Sequence, residues 1–325
     1  MRLHAYLDRF GDERFGVVVE GQLLTGAQLE RRGGLAAGIT HFGIGYFGTF
    51  EVDWLDAIRA AGRRALRRGA PLISLDARRP IAALSPATVG KIVCVGLNYA
   101  EHVAEGGRTA PGNPMLFAKF NNAIVGDGDA VVRPEGTRAL DLEVELGVVI
   151  GGTAFRVPED EAMNHVAGFV VVNDISARDW QGSLPALREG EKGDGQWLRA
   201  KGSDTFLPMG PAFITPDELG TGAGLGLRSW RIPGSGPDAG TPVPMQDGNT
   251  SDMLYAVPAL IAYISRHITL QPGDVIATGT PSGVGVFRDP PVFLEPGDTV
   301  RCEIEGIGSV ENPIIDWTDD PRLDA

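Results

Sequence analysis

The chain has 325 residues, a formal net charge of −13 and a pI of about 4.9, which argues against nucleic acid and anionic membrane as partners. Its 45 Gly and 23 Pro favour many short strands joined by turns, and a 43% hydrophobic content is ample for a core. No run of 18 apolar residues occurs and the first residues have no signal-peptide core, so a soluble, cytoplasmic protein is expected. The two cysteines, Cys94 and Cys302, sit in apolar strand-like runs and read as buried small residues in a reducing compartment.

Residues 1–85 read as a separate small unit. Two short strands are expected in 15–24, around a turn at Glu20-Gly21. Residues 52–68 carry apolar side chains at helical spacing with Arg on the other face, an amphipathic helix. The Gly-rich GIGYFG at 43–48 neither closes a strand nor opens a helix, so it does not read as a phosphate loop. Residues 71–86 lead out as a linker.

From Gly90 the composition changes. KIVCVGL at 91–97 is a buried strand, followed by a helical turn over 100–105. His102 and Glu105 lie three apart on one face of that turn. A carboxylate beside an imidazole fixes its tautomer and suits a general base; a His capping a loop is the alternative.

LDLEVELGVVI at 140–150 alternates strictly, with Asp141, Glu143 and Glu145 at odd positions. Period two puts the three carboxylates on one face of a strand, where same-face neighbours sit roughly 7 Å apart. A hard divalent cation would relieve their repulsion. A half-exposed strand with a solvated acidic face explains the pattern equally well. Asp174 closes the apolar run at 168–174, as a turn residue or as a third carboxylate. Arg178 and Gln181 share a helical turn; Arg178 either grips a substrate carboxylate or makes a structural ion pair.

Residues 182–196 are polar and Gly-punctuated, a loop that closes over a substrate or an inert insertion. Lys201 follows, a solvated lysine or a fixed positive charge beside the site. Residues 225–245 read as a hairpin with a Gly/Pro-rich loop. A helix is expected over 250–264, capped by Thr250 or Ser251 and interrupted at Pro258. Over 270–285 a turn, a strand and a Gly-rich loop follow, the loop offering backbone N–H groups and Thr280 to an anion.

Five motifs in this order, GLNYAEH, DLEVELGVVI, VVNDISARDWQ, KGSDT and GDVIATGTPSGVG, resemble those of the fumarylacetoacetate hydrolase family over residues 90–312. The resemblance implies an α+β, mostly β fold. Twisted, mostly antiparallel sheets roll around the site in a catalytic domain at 86–325, after a small N-terminal α+β domain at 1–85. It implies a homodimer and a divalent cation, Mg²⁺ or Mn²⁺, sometimes Ca²⁺. By the same resemblance Glu143, Glu145 and Asp174 match the metal ligands, His102 the general base and Glu105 its partner. Lys201 matches a lysine near the metal. Tyr99, Arg178, Gln181, Thr205 and Thr280 match residues that contact the substrate or shape its site. Asn98 stands where some members have a further metal-ligating Asp.

The activity implied is hydrolysis of a C–C bond in an acylpyruvate-type 2,4-dioxo acid, as in aromatic catabolism. The His–Glu pair would activate a water, and the metal and Lys201 would stabilise the leaving enolate. Isomerisation or tautomerisation, decarboxylation and dehydration of a related 2-oxo acid are the alternatives on the same site. Substrate choice is expected to lie in the segments at 182–196 and 234–244.

Overall fold

The computed structural model describes residues 1–40, 52–182 and 195–324. Most of the strands form a ten-stranded sheet. From one edge its order is Ile73–Ser74, Gln22–Leu24, Glu13–Val19, Arg2–Leu7 and Ala212–Ile214. It continues through Val166–Asn173, Val144–Ile150, Val275–Ala277, Ile92–Gly96 and Met115–Lys119. Among the described residues of this sheet, only the pairing of Val275–Ala277 with Ile92–Gly96 is parallel. A second, five-stranded sheet runs Val243–Asn249, Gly226–Ile232, Thr299–Ile304, Gly308–Asp316 and Val131–Arg133. The architecture is α+β and mostly β, as the motifs implied.

The two central strands explain the sheet's double burial. Val144, Leu146, Val148 and Ile150 face one apolar cluster, which contains Val257, Leu260, Ile261 and Ile264 of the helix Val257–Ser265. Val149, on the opposite face, joins a second cluster with Leu55, Ile58 and Ala61 of the helix Val52–Arg67. Alternation therefore places Glu145 on the face away from the Val257–Ser265 helix.

The first 85 residues are built into this body. Arg2–Leu7 pairs with Ala212–Ile214, and Met1, Leu3, Phe15 and Leu24 share one core with Leu140, Val170 and Val275. Among the described residues the sheet and the core run across both parts of the chain. The turn between the second and third strands has positive φ at both Glu20 and Gly21, 49° and 75°, the conformation that matches strand twist in a two-residue hairpin.

The helix expected over 250–264 is shorter. Thr250–Asp252 is a 3₁₀ turn capped by the Asn249 side chain, and the helix proper begins at Val257. Pro258 sits in its first turn, where the missing N–H costs nothing, so it starts the helix instead of interrupting it. Thr250 Oγ1 accepts from the Leu225 N–H instead of capping that helix. Cys94 and Cys302 are buried free thiols. No helix among the described residues is long and apolar enough to cross a membrane. The GIGYFG stretch and most of the expected loop at 182–196 lie outside the described residues.

Candidate active site

The acidic run is not one uninterrupted strand. Leu140–Asp141 pairs with Ser176–Ala177, whereas Val144–Ile150 pairs with Val166–Asn173. Between them the ladder is interrupted: the Glu143 N–H donates to Asn173 Oδ1, and the Asp174 N–H donates to the Glu143 carbonyl. Every residue from 140 to 150 is buried, which rules out the solvated acidic face.

Burial of so many carboxylates requires partners, and each has a different set. Asp141 accepts from Arg178 Nε at 2.9 Å and from the backbone N–H groups of Gly285 and Val286 at 2.8 and 3.0 Å. It is a structural carboxylate. Glu143 accepts from Arg178 Nη2 at 2.6 Å and from Lys201 Nζ at 2.7 Å. Asp174 accepts from Lys201 Nζ at 2.6 Å and forms an ion pair with Lys119 Nζ at 2.7 Å. Among the described residues Glu145 accepts only from the Gly279 N–H, at 2.9 Å.

These contacts sort the site's electrostatics. Burial alone would raise the Glu143 carboxyl, but Arg178, Lys201 and His102 outweigh it and hold it below the usual carboxylate range. Burial, with the charges of Asp174 and Glu143, pushes Glu145 well above that range. Burial depresses the Lys201 ammonium, yet Asp174 and Glu143 reverse the sign and raise it. For Lys119 burial dominates the attraction of Asp174, and its ammonium is lowered. Four buried carboxylates, Asp141, Glu143, Glu145 and Asp174, thus face three buried cations, Lys119, Arg178 and Lys201.

Oxygens of Glu143, Glu145 and Asp174 lie within 4.8 Å of one another. Three buried carboxylates with one negative charge unmatched make a hard-oxygen donor set that fits Mg²⁺, Mn²⁺ or Ca²⁺. Asn98 adds no ligand. Its side chain is spent on the backbone, donating to the Tyr255 and Thr278 carbonyls and accepting from the Tyr255 N–H.

Across the cavity stands the helix Ala100–Glu105. His102 Nδ1 lies 2.7 Å from Glu105 Oε1, and Glu105 Oε2 accepts from the Gly283 N–H at 2.9 Å. An ionised carboxylate can only accept, so Nδ1 carries the proton and Nε2 keeps a free lone pair. The cavity, about 230 Å³, is lined by His102, Glu143, Glu145, Arg178, Gln181, Lys201 and Thr280. Phe117, Trp197 and Phe287 add apolar wall.

Seven of the expected residues therefore meet in one cavity. Asp174 lies behind Lys201, and Glu105 behind His102. Two others fall elsewhere. Tyr99 is buried, forms a β-bridge to Met253 and lines a different hollow with Glu101, Asp252 and Ser282. Thr205 takes a left-handed φ of 69°, and its Oγ1 accepts from the Val132 N–H, so it latches a turn to the Val131–Arg133 strand. Neither lines the cavity, and neither does any residue of 234–244.

The Gly-rich loop also differs from expectation. Its N–H groups serve anions, but these are the protein's own Glu145, Glu105 and Asp141. Thr280 Oγ1 donates to the Val144 carbonyl and accepts from Gln246 Nε2. Arg178 makes the structural ion pair, with Gln181 Oε1 accepting from its Nη1 at 3.0 Å. Lys201 is buried in the helix Trp197–Gly202, not solvated. Lys119 is a further cation of the site, whose signal in the sequence is a lysine inside the apolar strand LFAKF. Its Nζ donates to the carbonyls of Ile175, Phe206 and Lys201.

Mixed sheets bring to one cavity a His–Glu pair and a carboxylate cluster that could hold a metal ion. Residues 91–315 match the family model "Fumarylacetoacetate (FAA) hydrolase C-terminal". The chain belongs to the fumarylacetoacetate hydrolase family. It is 44% identical over 239 residues to "Oxaloacetate tautomerase fahd2, mitochondrial" of Xenopus laevis, spanning 73% of this chain and 70% of that protein. It is 43% identical over 261 residues to "Oxaloacetate tautomerase FAHD2A, mitochondrial" of Homo sapiens, spanning 80% and 77%. Among solved structures it resembles 2-hydroxyhepta-2,4-diene-1,7-dioate isomerase from Mycobacterium marinum, with TM-score 0.66, 30% identity and 98% and 99% of the two chains covered.

Proposed function

We propose that this protein is a divalent-metal-dependent tautomerase that interconverts the keto and enol forms of a 2-oxo acid of the oxaloacetate type. The observation that carries the reading is one cavity lined by His102, whose Nδ1 is held by Glu105, and by Glu143 and Glu145, which form a carboxylate cluster with Asp174 behind Lys201. The relatives named as oxaloacetate tautomerases support this choice over the hydrolysis implied by the motifs.

His102 Nε2 takes a proton from C3 of the 2-oxo acid. The electron pair of that C–H bond becomes the C2=C3 double bond, and negative charge moves to the C2 oxygen. The imidazolium then returns the proton to that oxygen, giving the enol; ketonisation is the same path reversed. Glu105 holds Nδ1–H throughout and balances the imidazolium charge, while the Gly283 N–H keeps Glu105 from swinging away. Glu143, Glu145 and Asp174 would hold a divalent cation, which would supply electrostatic stabilisation of developing negative charge. No water is consumed, which suits an apolar wall of Phe117, Trp197 and Phe287.

The test follows loss of the oxaloacetate enol band with Mg²⁺, with chelator and with His102→Gln. The variant is expected to lower kcat by about 10²–10⁴-fold while binding Mg²⁺ normally by calorimetry. Unchanged kcat in His102→Gln overturns the base assignment. Pyruvate released from acetylpyruvate, with no enol conversion of oxaloacetate, moves the activity to C–C hydrolysis.

A further inference from the structure

The charges lining the cavity are unequal in one respect. Arg178 is bound to Asp141, Glu143 and Gln181, and Lys201 to Glu143 and Asp174. Arg108 lines the same cavity from its exposed rim. Its guanidinium has no hydrogen bond or ion pair among the described residues. The nearby acids of the preceding helix are already engaged, Glu105 with His102 and Gly283, and Glu101 with Ser282 Oγ.

An exposed arginine is by default a solvated side chain. Arg108 differs in how its backbone is held. The Arg108 N–H donates to the Val103 carbonyl at 3.1 Å, and the Gly107 N–H donates to the Ala104 carbonyl at 3.0 Å. Gly107 has a φ of 61°. This is a Schellman closure of the helix Ala100–Glu105, with Gly at the left-handed position. The element that presents His102 therefore also fixes the root of Arg108. The neighbouring wall of Phe117, Trp197 and Phe287 offers an anion no other counter-charge.

We propose that Arg108 binds the distal carboxylate of the substrate and makes the site selective for dicarboxylic 2-oxo acids over monocarboxylic ones. This rests on the reading of the cavity as a 2-oxo acid site. Arg suits the task because its planar fork meets a carboxylate with two parallel hydrogen bonds. A substrate held at its far end by Arg108 has its C3 fixed relative to His102, since both groups ride on one closed helical turn. Arg108 is a specificity residue that touches substrate; it moves no proton.

The experiment compares 3,3-difluoro-oxaloacetate, which cannot enolise, with its 4-ethyl monoester, which lacks only the distal charge. Binding to the Mg²⁺-loaded protein is measured by calorimetry for wild type, Arg108→Gln and Arg108→Lys. Wild type is expected to favour the diacid by about tenfold or more. Arg108→Gln brings the two affinities together, and Arg108→Lys restores part of the preference. A wild-type preference that survives in Arg108→Gln overturns the proposal. So does an equal loss for both ligands, or no binding of either to wild type. An Arg108-dependent preference in a protein that does not interconvert oxaloacetate tautomers overturns the proposed reaction and leaves Arg108 as the carboxylate anchor.

Discussion

Glu145 is the residue on which the site's charge balance turns. It is buried, its neighbours Glu143 and Asp174 are anionic, and among the described residues only one N–H, from Gly279, reaches it. Its folded-state carboxyl is raised above the unfolded value. Stability from keeping it protonated is therefore present below the ordinary Glu pKa of about 4.3 and is lost as pH rises through the folded value. Chelator-treated protein is expected to lose stability across that window, and the stabilisation given by Mg²⁺ should grow with pH. Thermal midpoints against pH, with EDTA and with Mg²⁺, check the sign. Mg²⁺ uptake near neutral pH should release up to about one proton, read by calorimetry in buffers of different ionisation enthalpy. A Glu145→Gln protein whose midpoint in EDTA depends on pH as the wild type's does would sink the assignment of the unmatched charge to Glu145.

At the scale of the element, the loop at 278–286 does what no single side chain does. Its N–H groups hold Glu145, Glu105 and Asp141, which belong to two separate parts of the chain. Gly283 has a φ of 101°, and a Cβ there would stand 2.3 Å from the Met245 carbonyl oxygen. Gly283→Ala is expected to cost about 1–3 kcal/mol of stability, read by urea unfolding. It should lower kcat more than it weakens Mg²⁺ binding, because the N–H that it displaces serves Glu105. Equal losses in both would mean that the loop acts as one indivisible clamp.

For the whole molecule, the decisive feature is a sheet that runs from the N-terminal strands into the strands bearing the site. The seam between Arg2–Leu7 and Ala212–Ile214 is hydrogen-bonded, and the core beneath it is shared. Calorimetry of the full chain is expected to give one cooperative transition, and a fragment of residues 86–325 should aggregate, because truncation exposes the edge of Ala212–Ile214 and that shared core. Two independent transitions, or a soluble, cooperatively folding fragment, would favour the separate small unit expected at 1–85.

How much was legible depended on range along the chain. The acidic period-two run, the His102–Glu105 pair and the Glu20-Gly21 turn were readable because backbone periodicity and turn geometry act over a few residues. Pro258 was misread at that same range, since the helix start depended on the 3₁₀ turn before it. The match of cations to carboxylates was not readable: Lys119 reaches Asp174, and Lys201 reaches Glu143, across more than fifty intervening residues. Residue types alone determined that this chain had carboxylates, a base and cations enough for a site. Tertiary structure decided that Asp141 and Thr280 became scaffold, that Tyr99 and Thr205 left the cavity, and that Glu145 kept an unmatched charge. A buried ion's partners are set by which distant strands and loops pack against it, and no local pattern encodes that packing.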